Sequence, residues 1–251
     1  MNLKALFKQK QERLYKVLSK GGVIRGHKWV DMGLSVKWAT CNIGASCPSE
    51  SGDYFAWSEL ESKSEYTWDN YKFRMSGEYG TAVFCKYLTE CVLKKGETIQ
   101  DSKFSWGTIG FDVDTRLGQN GVIDGKICLE ALDDAAHSCW GGAWRMPTKE
   151  EFLELVDRCS WELRVQKGKK GYTVTSKVNG NSIFLPLSGY WRGNHFGDGV
   201  GRYWTSSLKA DNPFDAYSVE FGYSPTFESD MIGWNSTSRS CGLTIRPVSD
   251  V

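Results

Sequence analysis

The stretch Cys139-Trp140-Gly141-Gly142-Ala143-Trp144-Arg145-Met146-Pro147-Thr148 sits at the seam between a turn-rich first half and a strand-rich second half. Trp140 and Trp144 are large apolar anchors, each with one indole N–H to satisfy. The glycine pair between them lets backbone pass close to backbone. Arg145 carries a planar fork of donors suited to a carboxylate or to several carbonyls. Pro147-Thr148 then opens a helix over 149–158. Thr148 is a good N-cap, and Glu151 three residues on completes a capping box. Phe152, Leu155 and Val156 fall at i, i+3 and i+4, a single buried stripe. Two tryptophans, two glycines and a helix start describe packing, so the stretch reads as a structural hub and not as a reactive site.

Outward from the hub, the composition is globular: 40% of the 251 residues are hydrophobic and 24% are charged. A net charge of +1 leaves no electrostatic footprint for nucleic acid and no block aimed at a membrane surface. Eleven tryptophans and 27 glycines with few clear helices describe a loop-rich, strand-based chain held by bulky anchors. The eight cysteines include no CxxC pair, which argues against a zinc ribbon or a thioredoxin-type motif. The first 20 residues carry charge throughout, with no apolar core of a secretion signal and no lipoprotein-type cysteine. Synthesis in the cytoplasm and mostly reduced thiols are therefore expected.

Residues 2–19 repeat apolar positions (Leu3, Leu6, Phe7, Leu14, Val17, Leu18) at helical spacing, and Gly21-Gly22 ends the pattern. Such a helix could dock on its own domain, self-associate as a short coiled coil, or serve as an adaptor to a larger assembly. Strands are expected near 29–30, 36–40 and 54–57. Asp112-Val113-Asp114 with Asn120 and Asp124 offers oxygen ligands, but the spacing is not that of an EF-hand loop, and no metal or other cofactor is expected. Asp133-Asp134 should sit at the start of a short helix, where adjacent carboxylates diverge. One of them is expected to brace Arg145. Residues 172–178 and 183–187 should form a hairpin around a two-residue Asn179-Gly180 turn. A glycine-rich loop follows Gly193, then strands over 202–206 and 216–221, a polar stretch over 222–240 and a terminal strand over 243–246.

The hub resembles the WGGxWRMPT signature of the Fibrobacter-type major paralogous domain, a family abundant in Bacteroides-like gut bacteria. Further blocks resemble it in order: Val30-Asp31-Met32-Gly33-Leu34-Ser35-Val36-Lys37-Trp38-Ala39-Thr40-Cys41-Asn42-Ile43-Gly44-Ala45, Gly52-Asp53-Tyr54-Phe55-Ala56-Trp57-Ser58-Glu59, Leu129-Glu130 with Asp133-Asp134-Ala135-Ala136, Asn181-Ser182-Ile183-Phe184-Leu185-Pro186, Tyr203-Trp204-Thr205-Ser206-Ser207 and Ile245-Arg246-Pro247-Val248. The resemblance spans roughly residues 30–248. It implies an α+β, C-type-lectin-like fold of short antiparallel sheets and many loops over 23–251, preceded by an amphipathic helix over 1–22. It also implies that the amino- and carboxy-terminal strands pair. Members usually carry an export signal, and the departure here suggests delivery by another route, such as a phage particle, or action at the cell surface.

No nucleophile motif, dinucleotide loop, phosphate loop or zinc-protease motif occurs. Cys139 lies two residues from His137, and that pair supports a rival reading as an enzyme of the formylglycine-generating fold class. Another rival is a structural subunit assembling through 2–19. The favoured reading is non-catalytic. From 212 to 240 the chain is dense in Tyr, Ser, Asn, Thr, Asp and Gly, the palette of antibody-like binding loops. Lectin-like proteins ending in this style resemble the variable proteins of diversity-generating retroelements, which display changeable side chains on a fixed scaffold. Carried over by position, the ligand-binding candidates are Asp215, Tyr217, Ser218, Glu220, Tyr223, Ser224, Thr226, Glu228, Asp230, Asn235, Ser236, Ser238 and Ser240, with Tyr190 and Trp191 at the edge of the same face. Trp204, Arg246 and Pro247 would be scaffold. The implied partner is a protein or glycan.

Overall fold

Among the described residues the regular structure is mainly short antiparallel strands, and helices are few. The computed structural model describes residues 21–76, 82–84, 87, 124–212, 214–224 and 229–250, with backbone alone at 74–76, 82–84, 223–224 and 229–230. The 2–19 pattern, Asp112, Asp114, Asn120, Thr226 and Glu228 lie outside the described residues.

Strands β1 (Gly22–Ile24), β2 (His27–Asp31) and β3 (Lys37–Ala39) form a meander. Beyond a separate two-stranded ribbon, β4 (Arg74–Ser76) and β5 (Ala82–Phe84), the chain reaches a 3-10 turn, Ala131–Asp133, and helix α1 (Ala135–Trp140). Strand β6 (Trp144–Arg145), inside the hub, leads into helix α2 (Lys149–Arg158). The last strand, β15 (Val248–Ser249), lies between β3 and β6 and closes a five-stranded sheet, β1-β2-β3-β15-β6. The two ends of the domain therefore do pair. The segment before β15 is stitched in by single backbone bonds, Ala39 N to Pro247 O (2.9 Å), Ile43 N to Ile245 O (3.1 Å) and Phe55 N to Leu243 O (2.9 Å). The strands expected over 54–57 and 243–246 reduce to such isolated bridges.

The hub packs as its composition suggests. Trp144 is fully buried and donates Nε1–H to Ile24 O at 3.1 Å. Trp140 stacks on His27 with ring centroids 3.8 Å apart and meets Trp144 edge-on. Gly141 and Gly142 both have positive φ, and a side chain at Gly142 would meet Arg25. Only glycine adopts that turn without strain while leaving the space. The capping box of α2 is present in full, with Glu151 N–H donating to Thr148 Oγ1 and Thr148 N–H to Glu151 Oε2.

The Arg145 brace is different from the one expected. Arg145 grips Glu151 with both terminal nitrogens (2.8 and 2.6 Å) and also pairs with Asp250. Asp134 instead caps α1, accepting from Ala136 N and His137 N, and its other oxygen accepts from Met146 N at 2.7 Å. Burial pushes the Asp134 carboxyl up, against those three backbone donors. Asp133 accepts from Tyr87 OH at 2.8 Å and pairs with Lys72. Glu151 is reached first because the capping box already fixes it one turn from Arg145.

Beyond α2, strands β7 (Cys159–Gln166), β8 (Lys169–Ser176) and β9 (Ser182–Pro186) form an antiparallel sheet. The two-residue turn is not at Asn179-Gly180 but at Lys167-Gly168, where both residues have positive φ. Asn179-Gly180 sits inside a longer connection closed by Ser176 N to Asn181 O, 2.8 Å. Asn179 Nδ2 is used on Asp31 O, so tertiary contact took over the turn signal. The loop after Gly193 is itself the tip of a hairpin, β10 (Tyr190–Arg192) and β11 (His195–Gly197).

The last sheet is β12 (Val200–Leu208), β13 (Asp215–Ser224) and β14 (Ser229–Ser238). The polar stretch expected as loop is thus largely a ten-residue strand, paired in unbroken register with β13. This sheet separates two cores. Trp204, Leu208 and Ala216 join one with Phe55, Trp57 and Tyr71; Tyr203, Val219 and Phe221 join the other with Phe152, Leu155 and Tyr172.

Candidate functional site

The candidate site is the outer part of the β12-β13-β14 sheet, and the segment behind it fixes it in place. Arg246 is fully buried. Its Nε donates to Asn42 Oδ1 (2.7 Å), Nη1 to Ala39 O and Thr40 O (3.2 and 3.0 Å), and Nη2 to Phe184 O (3.0 Å). All four acceptors are neutral oxygens, so burial lowers the guanidinium's pKa. Arg246 ties the first sheet to β9 through one planar group. Trp204 Nε1–H donates to Phe55 O (2.7 Å) and Trp57 Nε1–H returns to Thr205 O (2.8 Å), locking the 55–57 segment on β12.

Arg239 is a second buried fork that sequence reasoning missed. It donates to Tyr71 OH (2.8 Å) and Tyr87 O (3.2 Å), and its guanidinium lies 5.0 Å from the Trp57 ring centroid. Trp57, Tyr71 and Tyr87 are scattered in sequence around it, so nothing local marks the residue.

Period-two alternation divides the candidates between the two faces of the sheet. On one face Arg202, Glu220 and Asn235 form a cross-strand ladder. Arg202 Nη2 meets Glu220 Oε2 at 2.6 Å, and Asn235 Nδ2 donates to the same oxygen at 2.7 Å. The Arg202 guanidinium lies 4.1 Å from the Tyr190 ring centroid, and its buried Nε has no hydrogen-bond partner among the described residues. Gly233 stands opposite Glu220, Met231 is exposed nearby, and Trp191 packs on Phe196 at 4.9 Å. A surface with an arginine-acid-amide ladder and aromatic edges suits a polar ligand with hydrogen-bonding groups and flat faces.

On the other face Tyr217 meets Trp234 edge-on at 5.8 Å, and Lys149 Nζ lies 3.8 Å and 4.5 Å from their centroids. Ser236 shares this face by register. Trp234 is 54% exposed, an unusual placement for the largest apolar side chain and a mark of contact surfaces.

Several candidates are corrected. Ser218 is fully buried and shares a hydrogen bond with Thr237 (2.8 Å), and Ser240 is buried with its hydroxyl on Ser238, so neither Ser218 nor Ser240 is displayed. Ser218 lies on the face where Trp204 and Ala216 join the core, and Ser240 lies in the turn into 241–245. Asp215 accepts from Asn212 Nδ2, and burial raises its pKa. Ser238 is partly buried. Tyr223, Ser224 and Asp230 are placed in β13 and β14 by backbone alone.

The Cys139 thiol is pushed up by burial and by Asp53 and Asp134, opposite to what a thiolate nucleophile needs. Among the described residues no three His, Cys, Asp or Glu side chains gather as a metal site, and no helix is long and apolar enough to cross a membrane. The six described cysteines are free thiols. Comparison of the chain with protein-family models, with curated proteins and with solved structures finds no match.

Proposed function

We propose that the protein is a non-catalytic ligand-binding protein of C-type-lectin-like fold, whose recognition surface is the outer sheet β12-β13-β14 in the manner of retroelement-diversified variable proteins. The observation that carries this reading is the contrast between β14 and the segment that follows it. β14 shows Met231, Trp234 and Asn235 to solvent, while the chain resumes after it in a run of buried residues from Arg239 to Ser249. A surface of small polar and aromatic side chains on a backbone set by scaffold residues tolerates side-chain exchange without loss of fold. The ligand would be a protein or a glycan, held by aromatic contact at Trp234 and Tyr190 and selected by the Arg202–Glu220–Asn235 ladder. Action in a phage particle or at the cell surface belongs to the same proposal.

The test is the DNA sequence downstream of the coding region. A near-copy of the segment encoding 212–240 is expected, differing at template adenines, with the differing codons falling on exposed or half-buried positions such as 217, 220, 234, 235 and 236. Absence of a near-copy, or differences concentrated at buried positions such as Ala216, Val219, Phe221 and Arg239, would overturn diversification and leave a fixed-sequence surface.

A further inference from the structure

Strand β7 is the outer edge of the β7-β8-β9 sheet, and its free side is dressed for pairing. Among the described residues its only strand partner is β8. Edge strands in native proteins are commonly blunted by proline, a bulge or charged side chains. β7 has no proline and no bulge: its sequence is Cys-Ser-Trp-Glu-Leu-Arg-Val-Gln, its two charges are of opposite sign, and its register with β8 runs unbroken from Cys159 to Gln166. Leu163 and Val165 are 46% and 66% exposed, contiguous with the partly buried Trp161 on one face.

The two-residue turn at Lys167-Gly168 fixes which backbone groups are free. In such a hairpin the residues flanking the turn, Gln166 and Lys169, exchange hydrogen bonds. The even residues of β7 then face β8, and the N–H and C=O groups of Trp161, Leu163 and Val165 point to the open edge. Two backbone bonds obey this parity. Lys177 N–H reaches Arg158 O on the β7 side, and Leu187 N–H reaches Lys170 O on the β9 side.

The side chains along that edge are self-complementary. Antiparallel pairing of two β7 strands about Leu163 sets Leu163 against Leu163, Trp161 against Val165, and Glu162 against Arg164 at both ends of the centre. Within one chain, Glu162 and Arg164 already pair with each other at 2.5 Å while 62% and 58% exposed. In the paired arrangement the same charges would cross between strands at the short non-hydrogen-bonded positions, where opposite charges are favourable and like charges are not. The outward groups of Trp161, Leu163 and Val165 would all be satisfied at once. Shifting the register by one residue in either direction sets Glu162 or Arg164 opposite Leu163 and loses both charge pairs.

We propose that β7 pairs with β7 of a second copy of this chain, antiparallel and two-fold symmetric about Leu163, making one continuous six-stranded sheet. The contact is small, so its Kd falls in roughly the micromolar range.

Sedimentation of the full chain should show the mass rising with concentration from 28.3 kDa toward twice that value. Glu162→Arg alone sets arginine against arginine, and Arg164→Glu alone sets glutamate against glutamate, so each variant should sediment as a monomer. An equimolar mixture of the two variants restores both charge pairs and should recover the doubled mass, as should the double variant E162R/R164E. The four outcomes together separate this contact from any association elsewhere in the chain. A wild-type chain that stays monomeric up to about 100 µM, single variants that still dimerise, or a mixture that does not recover the doubled mass would each overturn the proposal.

Discussion

Residues 229–238 and 239–249 are neighbours in sequence and opposites in structure. The first stretch is strand β14, an edge with Met231, Trp234 and Asn235 in solvent. Every residue of the second is buried, including two arginines with no exposure at all. Both stretches are polar on paper, and the second holds Arg239, Ser240, Thr244, Arg246 and Ser249. Polarity therefore did not decide exposure. What decided it was the supply of partners: the buried stretch threads between the first sheet, the 55–57 segment and β12, where carbonyls wait for donors. Among the described residues β14 has β13 on one side only. A buried polar group is stable where its hydrogen bonds are met, and an edge strand leaves its outer side to water or to a ligand.

The largest effect should come from removing the fork that holds the buried stretch. Arg246→Met strands Asn42 Oδ1 and three carbonyls without their donor. Unpaired buried acceptors cost about 1–3 kcal/mol each, so a loss on the order of 4 kcal/mol is expected in denaturant unfolding. A loss under about 1 kcal/mol, the range of ordinary substitutions, would show that the segment is held by its backbone alone.

Trp204→Phe keeps a ring but removes one of two donors to Phe55 O, with Leu243 N–H left at 3.0 Å, and about 1 kcal/mol of stability should go with it. Proteolysis near 55–57 in the native state should rise in parallel, since that segment is clipped to β12 by Trp204 and Trp57. Unchanged cleavage there would assign the clip to Trp57.

Thiol titration sharpens the contrast further. Burial pushes Cys159 and Cys241 from 9.0 up to about 11. Between those values the folded chain holds protons that the unfolded chain releases, so both cysteines stabilise the fold below pH 9 and lose that contribution as pH rises to about 11. The unfolding midpoint should fall across this window and fall less in Cys241→Ala. A variant that tracks the wild type throughout would count against a protonated, buried Cys241.

The smallest effect on stability should fall on β14. Trp234→Ala and Asn235→Ala expose no unpaired buried group, and each should change stability by about 0.5 kcal/mol or less. A clear drop in melting temperature for either would mean that β14 is scaffold and not display surface.

How much of this was legible beforehand varied with distance in sequence. The helix over 149–158, its capping box and the hub tryptophans were read correctly because their determinants lie within one turn of each other. The pairing of the two chain ends came with the family resemblance, and the same resemblance marked Trp204 and Arg246 as scaffold. Arg239 was invisible because Trp57, Tyr71 and Tyr87 are brought to it only by the fold. The two-residue turn was placed at Asn179-Gly180 on composition, while Lys167-Gly168, a weaker signal, takes the positive φ values between two longer strands. The candidate list over 215–240 mixed buried and exposed positions, since each face of this sheet carries a core over part of its area: Ser218 is fully buried on the same face as the exposed Asn235 opposite it.

The sequence by itself determined the local pieces: the capped helix, the glycine-hinged tryptophan hub, a strand-rich second half and a polar, aromatic-bearing segment near the end. Only the tertiary structure decided that this segment is an edge strand, that Glu151 and not Asp134 holds Arg145, and that Ser218 and Ser240 face inward. Local choices follow from interactions a few residues apart, where chain geometry limits the options. Partners for a polar side chain are settled by which segments the whole fold sets beside it, and the energy of leaving it unpaired is what selects among them.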